Sequence, residues 1–261
     1  IIVLAGVHFM AETAKILNPT KMVLEPEPEA GCSLDDSCPP IDFAPFKAKY
    51  PDHVVVTYVN CSAEVKALSD ICCTSSNAVK VIESIPKEKE ILFAPDKNLG
   101  AYLAKVTGRD MVIWDGACTV HEAFCRDKIQ DLKTQNPGAK FIAHPESEEA
   151  ILEMADFIGS TSALLSYAKS SPEKTIIVAT EAGILHQMTK ENPHKKLIAA
   201  PINEDNTCAC SECPYMKMNT MQKIYNVLKN ETNQVHISSE IIDRALLPIE
   251  RMLAISQPQK V

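Results

Sequence analysis

Short apolar runs recur along the chain: VVVTYV (54–59), ILFA (91–94), MVIW (111–114), FIAH (141–144), IIVA (176–179) and LIAA (197–200). They are brief and rich in β-branched residues, the pattern of strands buried on both faces of a parallel sheet. Helical stretches such as NLGAYLAKVTG (98–108) and SEEAILEMADFI (147–158) alternate with them. Strand and helix in turn predict an α/β architecture, here three small αβα layers with short parallel sheets. Ligands in such folds sit at the carboxyl ends of the strands. Those ends carry YVN, WDGAC, HPE and ATE.

The pattern also repeats on a longer scale. Pro51 to Ser76 and Pro137 to Ser162 align without a gap at an offset of 86, placing Tyr58 on His144, Asn60 on Glu146, Asp70 on Asp156 and Ser75 on Thr161. Polar groups at matched places on a repeated frame point to sites lining a shared cavity. The opening, IIVLAGVHFMAETAKILNPTKMVLEPEPEAGC, matches only the second half of such a unit. Two and a half units of a threefold array follow: residues 1–50 as the second half of an incomplete first unit, 51–136 as the second and 137–237 as the third. SSEIIDRALLPIERMLAI reads as an amphipathic helix interrupted near Pro248, and residues 238–261 are expected to pack back on the first unit.

Composition narrows the function. Net charge is −8, with 26 basic against 34 acidic residues and no long basic run, which argues against a nucleic-acid surface. No apolar run approaches a membrane span and no signal pattern appears, so a cytoplasmic protein is the expectation. There is no G-x-G-x-x-G or Walker sequence for a bound nucleotide.

Ten cysteines in a large α/β chain favour metal or redox chemistry for some of them over a disulfide scaffold. Cys61, Cys72, Cys73 and Cys125 lie in or beside apolar segments and read as small hydrophobes; Cys38 is unassigned. Cys32, Cys118 and Cys213 each follow the second strand of a strand-helix-strand unit, as though three thiolates meet at one site. Thiolate triads select zinc or iron-sulfur clusters, and three cysteines leave one iron of a 4Fe-4S cube open as a Lewis acid. Their wide spacing, 86 and 95 residues, differs from the tight runs of electron-transfer ferredoxins.

The segments GVHFMAETAKILNP, YVNCSAEVKALSD, CTSSNAV, FAPDKNLGAYLAKVTG, WDGACTVHE, HPES, GSTSALL and CPYMKMNT closely resemble the quinolinate synthase (NadA) family, from Ile1 to about Ser256. The resemblance implies a 4Fe-4S enzyme of de novo NAD biosynthesis that condenses iminoaspartate with dihydroxyacetone phosphate, losing two waters and phosphate to give quinolinate. It implies three αβα domains about a pseudo-threefold axis, and a functional link to L-aspartate oxidase or aspartate dehydrogenase as the source of iminoaspartate. The implied cluster ligands are Cys32, Cys118 and Cys213. The implied substrate contacts are Tyr58, Asn60, Ser75, His144, Glu146 and Thr161. Among these, Glu146 is the candidate proton carrier, if a dry cavity raises its pKa, and His144 and Tyr58 the candidate hydrogen-bond donors to developing oxyanions.

Each residue also has a plainer reading. A histidine after an apolar strand is often structural, Glu146 before a helix is favoured by the dipole, and Ser75 and Thr161 stand where serine and threonine routinely cap helices. His121 and Glu122 read as the start of a helix and stay outside the catalytic set. The family's first half-unit, with further cavity-facing residues, is not supplied by this sequence, so a polypeptide of these 261 residues alone is expected to be poorly active. In CACSEC, Cys208 and Cys210 are candidates for a redox-sensitive disulfide. Two other readings stay open. HPE followed by CSEC is similar to the pattern of zinc deaminases, although it leaves Cys32 and Cys118 without a task. The other is a noncatalytic iron-sulfur or thiol sensor.

Overall fold

All six apolar runs form strands in the structure, a computed structural model that describes residues 1–203 and 211–257. The contacts divide the chain into two compact units, Ile1–Gly116 with Pro214–Val261, and Ala117–Cys213.

The first unit opens with β1 (Ile2–Val3), α1 (His8–Leu17), β2 (Val23–Leu24), α2 (Ser33–Asp36) and α3 (Pro40–Lys47). It continues with β3 (Val54–Tyr58), α4 (Ala63–Ala67), β4 (Ile71–Cys73), α5 (Ala78–Ser84), β5 (Ile91–Ala94), α6 (Lys97–Thr107) and β6 (Met111–Ile113). The second unit contains α7 (Thr119–Glu122), α8 (Arg126–Gln135), β7 (Lys140–Ala143), α9 (Glu149–Leu152) and β8 (Phe157–Ile158). It ends with α10 (Thr161–Ser170), β9 (Thr175–Ala179), α11 (Ile184–Glu191) and β10 (Lys196–Ala199). The chain then returns to the first unit as α12 (Pro214–Lys217), α13 (Met221–Asn230) and α14 (Ser239–Ser256).

Every pairing between these strands is parallel. β1 and β2 make a small two-stranded sheet, and the other two sheets run β4-β3-β5-β6 and β8-β7-β9-β10, the same order at equivalent places in the repeat. Alternation along the strands explains why both faces are covered. In the first unit Val56, Ile91 and Phe93 face one apolar cluster with α5, α6 and α14, whereas Val55, Leu92 and Ala94 face another built on Phe43 of α3 and Trp114. In the second, Ile142, Ile176 and Val178 pack with Leu164, Ala168 and Met188 from α10 and α11.

Side-chain caps set several helix starts. Asp96 accepts from the Leu99 amide at 2.7 Å, and Ser160 and Ser238 do the same for α10 and α14. Gly108 ends α6 in the left-handed region at φ 65°, a conformation that favours glycine.

The matched aspartates have a structural role rather than the cavity-lining one that their place in the repeat suggested. Asp70 Oδ2 accepts from the Val55 amide at 2.8 Å, and Asp156 Oδ2 from the Phe141 amide at 2.9 Å. Each aspartate's own amide donates back to the same strand residue's carbonyl. The carboxylates thus secure the amide of the second residue of β3 and of β7 at identical register.

Two helical expectations change. SEEAILEMADFI is helical only over Glu149–Leu152; the chain then turns so that Asp156 can latch onto Phe141 and Phe157–Ile158 can join β7 as a strand. The C-terminal helix is continuous from Ser239 to Ser256 with Pro248 inside it. Proline removes one helical hydrogen bond, but Ala245, Pro248, Ile249 and Met252 are all buried, and this packing holds the helix on through the break. α14 lies most extensively against α4 and β4, and also against α1 and α5.

Candidate functional site

A buried polar cluster forms in the second unit where the carboxyl ends of β7 and β9 meet α7. The strand run of β7 stops at His144, whose amide still donates to the Ala179 carbonyl of β9 at 2.9 Å. The next turn closes when the Ser147 amide donates to the His144 carbonyl. Within this tight HPES turn His144, Glu146 and Ser147 are all buried. Cys118 stands at the N-terminal edge of α7, partly exposed, and His121 lies three residues on, on the same face of the helix and buried.

Glu146 lies between two histidines. Its Oε2 is 3.1 Å from His121 Nδ1, and its Oε1 is 3.5 Å from His144 Nδ1. The two imidazole rings are 5.0 Å apart at a tilt of 33°. Thr180, the first residue beyond β9, places its hydroxyl 3.2 Å from His121 Nε2. A ligand atom from each of Cys118, His121 and Glu146 lies within 4.8 Å of the others, the only such group of three metal-ligating side chains among the described residues.

The histidines titrate in opposite directions. Burial opposes a charge on His121, yet the Glu146 carboxylate and the Cys118 sulfur outweigh it and hold its pKa well above 6.5. Burial dominates for His144, and together with the repulsion of a charged His121 brings it down to about 4 against the pull of Glu146. At neutral pH the cluster thus contains one cationic and one neutral imidazole around a carboxylate, a division suited to separate acid and hydrogen-bonding tasks.

The other sequence-predicted residues are distributed as follows. Cys213 precedes α12, and its amide donates to Glu181 Oε1 at 3.1 Å, just beyond β9. Thr161 is the exposed first residue of α10, and the capping hydroxyl is that of the buried Ser160. In the first unit Tyr58 is the buried last residue of β3 and Asn60 is half-buried two residues on. Ser75 is half-buried in the turn before α5, where the Thr74 amide donates to Asn77 Oδ1 at 2.6 Å. Cys32 stands at the start of α2, partly exposed. Cys208 and Cys210 lie outside the described residues.

Sequence reading left His121 out of the catalytic set and did not single out Thr180. The signal for His121 was its helical spacing from Cys118. For Thr180 it was a place in ATE at a strand's carboxyl end.

The family model described as NadA, Quinolinate synthetase A protein, matches residues 1–254. The chain belongs to the quinolinate synthase family. Curated proteins named quinolinate synthase are similar throughout: that of Microcystis aeruginosa is 59% identical over 256 residues, 98% of this chain and 80% of the relative. That of Trichormus variabilis is 59% identical over 98% of this chain and 78% of its own length. That of Chloroherpeton thalassium is 56% identical over 257 residues, 98% of this chain and 80% of its own. Among the described residues, no helix is long and apolar enough to cross a membrane.

The cysteines separate in a way that fits a quinolinate synthase's metal cofactor. Cys32, Cys118 and Cys213 are all partly exposed, and each immediately precedes a helix of four residues: α2, α7 and α12. Cys38, Cys61, Cys72 and Cys73 are fully buried, and burial raises their thiols, to about 12 for Cys38, so they serve as packing and are poor thiolate donors. Cys125, read from sequence as a core residue, is instead half-buried at the start of α8, where its amide donates to the Pro201 carbonyl.

Proposed function

We propose that the chain is a quinolinate synthase that condenses iminoaspartate with dihydroxyacetone phosphate, releasing two waters and phosphate. The observation that carries this reading is Glu146 buried between His121 and His144, with a carboxylate oxygen within 4.8 Å of the Cys118 sulfur. In it Cys32, Cys118 and Cys213 hold a 4Fe-4S cluster. When bound, such a cluster supplies a Lewis-acidic iron for departing or coordinating oxygens.

The chain's own groups carry the rest. Glu146 takes a proton from carbon or nitrogen of the substrate and returns it, as imine-enamine and keto-aldol shifts require. His121, held by Thr180, presents positive charge to a developing oxyanion, and neutral His144 offers a hydrogen bond without adding a second charge. Burial keeps water from competing for these bonds. Tyr58 and Asn60 occupy the matching strand end of the repeat and are assigned to substrate contact. Ser75 and Thr161, ahead of α5 and at the start of α10, are assigned to the phosphate or carboxylate groups. The family match argues against the deaminase and sensor alternatives, and the reaction assigns His144 and Glu146 a role that needs no zinc.

The reading is tested on protein reconstituted anaerobically. About four irons and four sulfides per chain are expected, lost on substitution of Cys32, Cys118 or Cys213. Glu146→Gln is expected to keep the cluster and reduce quinolinate formation by about 100-fold or more, the usual contribution of a general acid-base group. A metal-stripped protein that takes up no iron on this reconstitution, or one that makes quinolinate equally well without the Glu146 carboxylate, overturns it.

A further inference from the structure

We infer that, in the cluster-free chain, Cys118, His121 and Glu146 form a site for a single divalent cation of the zinc class. The site uses neither Cys32 nor Cys213, and the inference does not rest on the proposed cluster assignment.

The donor set is mixed thiolate, imidazole and carboxylate, which suits zinc and its neighbours. With ordinary zinc-ligand lengths, tetrahedral geometry places such atoms about 3.4–3.6 Å apart. His121 Nδ1 and Glu146 Oε2 are already at 3.1 Å, and the whole group lies within 4.8 Å. Closing on a cation therefore takes a displacement of roughly an ångström, within the reach of side-chain rotation.

A second, independent observation points the same way. His121 Nδ1 is buried and lacks a well-aligned hydrogen bond, although Glu146 is in ion-pair range. Its other nitrogen faces the Thr180 hydroxyl at 3.2 Å. On binding a cation the imidazolium gives up its Nδ1 proton, and the tautomer that keeps its proton on Nε2 toward Thr180 then offers the Nδ1 lone pair to the metal beside Glu146. A ligating histidine fixed through its far nitrogen is the usual arrangement at metal sites. Glu146 is held by its surroundings: His144 Nδ1 accepts from the Glu146 backbone amide at 3.4 Å and lies 3.5 Å from Oε1, while Oε2 faces His121. Cys118 is the partly exposed member, so a fourth position on its side is left for water, as in zinc sites with three protein ligands.

One consequence is exclusion. Cys118 cannot serve a mononuclear cation and an iron-sulfur cube at once, so zinc loaded first blocks cluster assembly and occupies Glu146. This differs from a deaminase-like site, which would pair the HPE segment with the CSEC cysteines.

The test is anaerobic titration of the cluster-free 261-residue chain with cobalt(II), then displacement by zinc. One cobalt per chain is expected, with a thiolate-to-cobalt charge-transfer band that disappears in Cys118→Ser. His121→Ala and Glu146→Gln are each expected to weaken binding by about 100-fold or more, and Thr180→Val by about tenfold, as loss of an outer-shell partner does. Cys32→Ser and Cys213→Ser are expected to leave affinity and band unchanged. Should Cys118→Ser fail to fold, Glu146→Gln, nearly identical in shape, decides the matter. Equal cobalt affinity in Glu146→Gln and His121→Ala overturns the inference. So does a band that depends on Cys32 or Cys213, which would place the metal on the proposed cluster thiols. The cluster assignment is judged separately, by the iron content of reconstituted protein.

Discussion

His8 at the start of α1 shows how one side chain can be retuned by its neighbours. Its Nδ1 lies 2.9 Å from Glu25 Oε2 and its Nε2 lies 3.8 Å from Glu12, with Asp35 adding to the field. The hydrogen bond to Glu25 outweighs the burial that opposes the charge, and the pKa rises to about 9. Because the folded value lies above the unfolded one, the pair stabilises the fold in full below pH 6.5, and the contribution fades as pH rises through 9. The His8 imidazole resonances are expected to titrate near 9, falling toward 6.5 in Glu25→Gln; a wild-type midpoint near 6.5 would contradict the pairing. Gly116, two residues before Cys118, makes a different demand. A Cβ there would collide with Ser37 Oγ and stand 2.5 Å from the Pro95 carbonyl oxygen. Gly116→Ala is therefore expected to cost about 1–3 kcal/mol in urea unfolding, as overpacking does. His144 and Glu146 were legible in the sequence because they follow a strand run and fall at repeat positions. His121 was not, because its value depends on the Thr180 hydroxyl 59 residues away, a proximity that only the folded strand order creates.

At the scale of elements, the strands were legible because fully buried parallel strands are uniform apolar runs. β4 and β8 were less so. They are three and two residues long, and ICC and FI sit next to helical-looking sequence. What defines them is the aspartate latch, which is a hydrogen-bonding device rather than a hydrophobic pattern. Removing a latch leaves a strand amide without its partner, so Asp70→Ala and Asp156→Ala are each expected to lower unfolding free energy by about 1–3 kcal/mol. The loss at Asp156 includes its contact with Lys140 at 2.9 Å; indifference of both variants in denaturant titration would contradict the role. Pro248 misled for a related reason. Helix rules weigh the missing amide, whereas burial of residues on either side of the proline holds α14 on its course.

For the molecule as a whole, the repeat at an offset of 86 is matched by two four-stranded sheets that share one strand order, an order the sequence pattern itself does not state. The pairing of distant segments was not in the local pattern, and α14 illustrates it: Ala245, Ile249 and Met252 enter the same apolar cluster as Val56, Ile71 and Phe93. This arrangement sets an order of events during synthesis. The second unit is one uninterrupted stretch and has all its strands once Ala199 has emerged. The first unit begins earlier but must wait for its closing helix, by roughly 2–9 s after Cys213 at ordinary elongation rates. Until then α4 and β4 lack their cover, and the nascent chain offers a sticky floor of Ala67 and Ile71, the stretch where a ribosome-associated holdase would find its grip.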